Sequence, residues 1–218
     1  MFEAILFDFD GVIADSEVLA NCVLADMVTA LGWPTSLDDA LGRYMGKRLP
    51  DLMAAIESDL GKPVSGSFAQ DLQAATLASF RSDLREVPGA RAFLDAHAAM
   101  TRCIASSSSR ERLALSLEVL GLTGHFAGGV FSADEVSRGK PHPDLFLMAA
   151  DRLGADPAHC LVIEDSESGV RAGLAAGMTV VGFCAGGHVR PGHSERLVAA
   201  GAHHTANNWN DVALLLRQ

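Results

Sequence analysis

The chain has 218 residues, 49% of them hydrophobic and 20% charged, ordinary globular proportions that exclude a disordered chain and suffice to bury a core. A formal net charge of -10 argues against a non-specific grip on nucleic acid or anionic lipid, because either leaves a basic footprint. No run approaches the ~18 uninterrupted apolar residues of a membrane span, so neither nucleic acid nor a membrane is an expected partner.

In chain order, the first predicted element is the apolar run AILFDF (4–9), a strand whose carboxyl end carries Asp8 and Asp10, with Gly11 allowing a sharp turn after it. No leader pattern precedes it. The four cysteines, Cys22, Cys103, Cys160 and Cys184, are scattered and form no CxxC pair, so reduced thiols and a cytoplasmic location are expected. Helical patterns then follow one another without a strand: SEVLANCVLADMVTALG, SLDDALGRYMG, PDLMAAIESDLG and SFAQDLQAATLASFRSDL. Short apolar, often β-branched runs return at RCIAS (102–106), GVFS (129–132), CLVIED (160–165) and TVVGF (179–183), alternating with helical spacing at 90–100, 110–122, 143–154 and 168–178. NNWNDV reads as one more helix start capped by Asn207, Asn208 or Asn210, and Trp33, Phe80 and Trp209 read as packing residues.

Strands alternating with helices imply an α/β fold: a Rossmann-like, doubly wound parallel sheet core (1–15 and 86–218) with an inserted helical cap (16–85). Ligands in such sheets bind beyond the carboxyl ends of the strands, so an insertion leaving from one is expected to sit over the site as a lid.

Four stretches offer chemistry there. Two carboxylates at one strand end can divide a reaction, one ionised to attack or hold a metal and one carrying a proton; solvated aspartates at a loop start are the plain alternative. In CIASSSSRER, Ser106 to Ser109 lie where a strand meets a helix, a place suited to anions, and Ser108 with Glu111 also fits a capping box. In RGKPHPDLF, Lys140 precedes a proline-stiffened helix entry that can aim one ammonium, although a loop lysine is commonly just solvated. In VIEDSESG, Glu164 and Asp165 form a second acidic pair, and hard oxygen ligands suit Mg²⁺ better than zinc. His188 and His193 in AGGHVRPGHSE, like the pair His203–His204, read as ordinary loop and surface histidines.

DFDGV, ASSSS, GKPHPDLF and IEDSESG, in this order and with the helical insertion, resemble the four motifs of the haloacid dehalogenase-like (HAD) superfamily, in the subgroup containing β-phosphoglucomutase and small-molecule phosphatases. The resemblance covers essentially the whole chain. It implies Asp8 as a nucleophile forming an aspartyl-phosphate, Asp10 as the acid and base, Ser106 as a phosphoryl ligand and Lys140 as the charge partner of phosphate and Asp8. Gly11, Ser107 and Ser108 would line the phosphate. Mg²⁺ would be held by Asp8, Asp165 and the Asp10 main-chain carbonyl, with Glu164 a ligand directly or through water.

Dehalogenases of this superfamily lack the second aspartate, so Asp10 counts against that activity. The mutase pattern of a cap histidine and a GxSR-like run is matched here by Ala20 and by GKRL from Gly46 to Leu49, a departure that favours a phosphatase, with a sugar phosphomutase as the alternative. A sugar phosphate, sugar-acid phosphate or related small phosphorylated metabolite is the implied substrate, and Lys47, Arg48 and Arg110 are the candidates for its distal part. A non-catalytic binding module would lack a catalytic residue, and none is missing. A monomer is the simplest expectation for this architecture.

Overall fold

Five short apolar runs and the segment His204–Ala206 form one parallel sheet in the computed structural model, which describes residues 2–45, 47 and 49–217. They are β1 (Ala4–Phe7), β2 (Thr101–Ser106), β3 (Val130–Ser132), β4 (Cys160–Glu164), β5 (Thr179–Phe183) and β6 (His204–Ala206), in the order β3-β2-β1-β4-β5-β6. All neighbours pair parallel, so every strand points its carboxyl end toward the same edge. The chain runs outward from β1 through β2 to β3 and then returns to β4 on the other side of β1. A ligand crevice in such a sheet opens at this reversal, between β1 and β4.

Side-chain alternation divides the core between the two faces of the sheet. Ala4 and Leu6 pack with Cys103, Val162 and Val180 under Phe146 of α7 (Asp144–Leu153) and Val170 of α8 (Glu167–Ala175). On the other face Phe7 meets Phe93 of α5 (Ala90–Ala96), Phe126, and Trp209 of α10 (Trp209–Leu215), with ring centroids 6.2, 6.1 and 6.0 Å away. Asn208 is the residue that caps α10, accepting from the N–H groups of Asn210 and Asp211. Two further helices complete this unit, α6 (Arg110–Leu120) and α9 (His193–Ala199).

The structure divides into two compact units, Met1–Asp15 with Arg85–Gln218, and Ser16–Leu84. In the first, residues 13–15 run antiparallel to 85–87: Val87 N–H donates to Ile13 O at 2.8 Å and Asp15 N–H to Arg85 O at 2.9 Å, which ties the outgoing and returning chain together. The second unit is all helical: α1 (Ser16–Ala30), α2 (Leu37–Arg43), α3 (Leu49–Leu60) and α4 (Phe68–Asp83) around Leu24, Val28, Tyr44, Ile56 and Phe68. Ser36 and Asp39 form a capping box at the start of α2. The Tyr44 hydroxyl donates to Asp59, and burial together with that carboxylate pushes its pKa up to about 12.

Phe80 and Trp209 are buried packing residues, but Trp33 is not. It is 38% exposed, with the Arg43 guanidinium 5.9 Å from its ring centroid. Lying in the turn after α1, the indole sits at the rim of the helical core, where a cation can stack on it.

The Phe7 cluster fastens α5 and α10 to the sheet. Phe7→Ala should therefore cost about 3–5 kcal/mol of unfolding free energy, read as a lowered denaturant midpoint, while Val198→Ala, at a 56% exposed site, should stay within about 0.5 kcal/mol. Equal midpoints for the two variants would show that this cluster is not what holds those helices.

Candidate active site

The register of the sheet assembles the site. Phe7 pairs with Ile104 on one side and Ile163 on the other, so the residues just beyond these three emerge together at the carboxyl edge. Asp8 extends the ladder by one bond, its N–H donating to Ile163 O at 2.9 Å, and its carboxylate meets Lys140. The Lys140 ammonium donates to Asp8 Oδ1 at 2.7 Å, Glu164 Oε1 at 2.6 Å and the Ala105 carbonyl at 2.9 Å, which uses all three of its hydrogens. It lies 4.9 Å from the Phe146 ring centroid and its side chain is only 3% exposed, so it is no solvated loop lysine.

Burial works against the Lys140 charge, but the Asp8 and Glu164 carboxylates outweigh it and hold the ammonium well above its ordinary pKa. Asp8 is pushed above the usual carboxylate range, first by burial and then by Glu164, Asp165 and Asp10, with Lys140 opposing.

Asp10, two residues on, has different partners. Its Oδ1 accepts from Arg112 Nη2 at 2.6 Å and its Oδ2 from the Ser108 hydroxyl. Arg112 projects from the first turn of α6, and Ser109, not Ser108, caps that helix by accepting the Arg112 N–H at 3.3 Å. The capping box expected of Ser108 and Glu111 does not form, because the helix starts one residue later with Ser109 at its cap, and the Ser108 hydroxyl donates instead to the Asp10 carboxylate. Ser106 is buried at the end of β2, its Oγ accepting the Ser108 N–H at 3.1 Å. The Ser132 hydroxyl donates to the Ser108 carbonyl at 2.7 Å and pins the serine loop to β3.

Glu164 is fully buried, and its Oε2 accepts from both the N–H and the hydroxyl of Ser166, at 3.0 and 2.9 Å. Its carboxylate lies so close to α8 that any Cβ at Gly169 would overlap it. Asp165 Oδ2 lies 3.0 Å from His188 Nε2, and its main-chain carbonyl accepts from His193 Nε2 at 2.8 Å. Gly11 holds a left-handed φ of 76°, and a Cβ there would run into Asp165 and the His188 ring. Gly11 thus serves close packing beneath the carboxylates.

Among the described residues, Asp8, Glu164 and Asp165 each offer a carboxylate oxygen, and these atoms lie within 4.8 Å of one another. Lys140 pairs with two of these three buried carboxylates, Asp8 and Glu164, and the donor set is all hard oxygen, a combination that fits a divalent cation of the Mg²⁺ or Ca²⁺ type.

Other candidates lie outside this group. Ser107 is exposed, and Arg110 is turned to the Glu135 carboxylate at 2.7 Å with its side chain 68% exposed. Lys47 is exposed in the helical unit, and Arg48 lies outside the described residues. Sequence patterns missed Arg112, Ser166, His188 and His193. Arg112 and Ser166 resemble ordinary residues of a helix start. The two histidines, expected at the surface, are instead buried, because the glycines around them let their loop close onto the strand ends.

Residues 2–177 match the model of the haloacid dehalogenase-like hydrolase family. The chain is 30% identical over 190 residues to the 6-phosphogluconate phosphatase of Escherichia coli K12, covering 87% of this chain and 86% of that one. It is 34% identical over 182 residues to the phosphorylated carbohydrates phosphatase of Thermotoga maritima, covering 81% and 82%. A crystal structure of a conserved haloacid dehalogenase-like protein of unknown function from Agrobacterium tumefaciens superposes with a TM-score of 0.90 at 33% identity, covering 100% of this chain and 98% of that one.

Because the Asp8 pKa is raised in the fold, its contribution to stability is complete below about pH 4 and is lost as pH rises through the folded value. In chelator, Asp8→Asn should therefore gain melting temperature relative to the wild type as pH rises above about 4. Parallel melting profiles would remove Asp8 as the source of this loss.

Proposed function

The chain belongs to the haloacid dehalogenase-like hydrolase family, and from that premise we propose that it is a Mg²⁺-dependent phosphatase that hydrolyses a small phosphomonoester through an aspartyl-phosphate. The observation that carries this reading is the pair of aspartates at the end of β1 with separate partners: Asp8 bound to Lys140 within the acidic cluster, and Asp10 bound to Arg112 and Ser108.

Asp8 attacks phosphorus, forming a bond to its carboxylate oxygen as the bond from phosphorus to the substrate alcohol breaks. Asp10 gives its proton to the departing alcohol oxygen. It then takes one from water as that water attacks the aspartyl-phosphate, which frees phosphate and restores Asp8. Arg112 and Ser108 hold the Asp10 carboxyl group in one place, where it can serve both proton transfers.

Ser106 and nearby backbone N–H groups bind the phosphoryl oxygens, while Lys140, held beside Asp8, offsets the charge of both phosphate and Asp8 so that like charges do not repel the attack. Asp8, Asp165 and the Asp10 main-chain carbonyl would hold Mg²⁺, which when bound would further neutralise the phosphate dianion. Glu164, whose oxygens are both engaged by Lys140 and Ser166, fits a ligand role through water and a direct role in holding Lys140.

The substrate class proposed is a sugar phosphate or sugar-acid phosphate, since the relatives are named for 6-phosphogluconate and for phosphorylated carbohydrates. Ala20 and Leu49 offer no polar group to a second phosphate, which favours hydrolysis over a mutase. Lys47, Arg48 and Arg110 remain the candidates for the distal part of the substrate.

Phosphate release should appear with Mg²⁺ on a panel of sugar and sugar-acid phosphates, stop in EDTA, and fall at least ~10³-fold in Asp8→Asn. Substantial release by that variant would remove Asp8 as nucleophile. Conversion of β-glucose 1-phosphate to glucose 6-phosphate without release would make the protein a mutase.

A further inference from the structure

The segment GGHVRPGH, residues 186–193, has no part in the chemistry above, yet it closes onto the acidic cluster. His188 and His193 are only 3% and 7% exposed, although they lie in a loop and at the start of a short helix. Burying two imidazoles costs hydration, which their hydrogen bonds must offset.

Both rings reach one residue. His188 Nε2 lies 3.0 Å from Asp165 Oδ2, and His193 Nε2 lies 2.8 Å from the Asp165 carbonyl oxygen. A carbonyl only accepts, so His193 Nε2 carries a hydrogen. Its Nδ1, 3.2 Å from Arg196 Nη2, accepts in turn, and the ring is therefore the neutral Nε2–H tautomer with both ends committed. The two rings meet edge to face, with centroids 5.5 Å apart at 79°.

The backbone is shaped around His188. A Cβ at Gly11 would come 2.7 Å from its Cε1, and one at Gly186 would come 2.8 Å from both Cε1 and Nδ1. The Gly187 N–H donates to Asp15 Oδ1 at 2.8 Å and fastens the loop to the segment that follows β1. The ring thus sits in a slot between two glycines, with Nε2 aimed at one carboxylate oxygen.

We propose that His188 and His193 are positioning residues for Asp165, His188 holding one carboxylate oxygen so that the other is presented to a divalent cation, and His193 fixing the main chain beneath it. The inference rests on Asp165 being a cation ligand in the function proposed above. Groups that orient a metal ligand from behind typically change metal affinity by about 10- to 100-fold when removed.

The test uses the full chain stripped with EDTA, with the Mg²⁺ dissociation constant measured by titration calorimetry and the melting temperature measured without metal. His188→Gln carries an amide nitrogen near the position of Nε2, whereas the shorter His188→Asn does not reach it. The Gln variant should bind Mg²⁺ within about 3-fold of the wild type and the Asn variant about 10-fold or more weaker, at similar metal-free melting temperatures. Wild-type affinity in both variants, or equal weakening in both that follows equal losses of melting temperature, would overturn the positioning role. Should His188→Asn not fold, the same Gln and Asn pair at His193 decides by the same criteria. Asp165→Asn separates the two levels: undiminished Mg²⁺ binding there overturns the ligand role of Asp165, while lost binding there beside wild-type affinity in the histidine variants overturns only the inference.

Discussion

One buried ammonium holds this site together. Lys140 donates to oxygens at the ends of three adjacent strands, Asp8 after β1, Ala105 in β2 and Glu164 in β4, with almost no exposure to water. Without it two buried carboxylates would face each other unpaired, an arrangement that costs several kcal/mol per uncompensated charge. Much of the surrounding structure serves this contact. The helix α7 that follows Lys140 supplies Phe146 beneath the ammonium, and Ser166 and the bare backbone at Gly169 make room for Glu164 and bind its second oxygen.

The same contact gives the two aspartates after β1 different lives. Asp8 shares a low-water environment with Glu164 and Asp165, where burial and like charges raise its proton affinity and only Lys140 opposes them. Asp10 answers to Arg112 and Ser108, which arrive from the opposite side of β1 through the serine loop and α6. Two chemically identical groups separated by one residue are set apart by their partners, as the proposed division into a nucleophile and a proton carrier requires.

Local patterns made most of the core legible. Each expected strand exists to within two residues of its ends, because four to six apolar residues bounded by turns have few other uses in a parallel sheet. Caps were readable only to within a residue or two: Asn208 is one of the three asparagines expected to start α10, and α6 is capped by Ser109, one residue after the expected Ser108. The misjudged features share one cause. Ser108 was assigned to a neighbour in sequence and Trp33 to the interior, while His188 and His193 were assigned to solvent; each actual environment depends on groups that local spacing does not reveal.

The amino-acid sequence by itself determined the alternation of strands and helices, the helical insertion and the order of the four motif stretches, since these depend on residues a few positions apart. Only the tertiary structure decided who partners whom. Asp10 and Arg112 are 102 positions apart, and Lys140 and Asp8 are 132 apart. The register of β1 between β2 and β4 brings those groups within hydrogen-bond reach, and neither composition nor periodicity encodes which distant donor will meet which buried carboxylate.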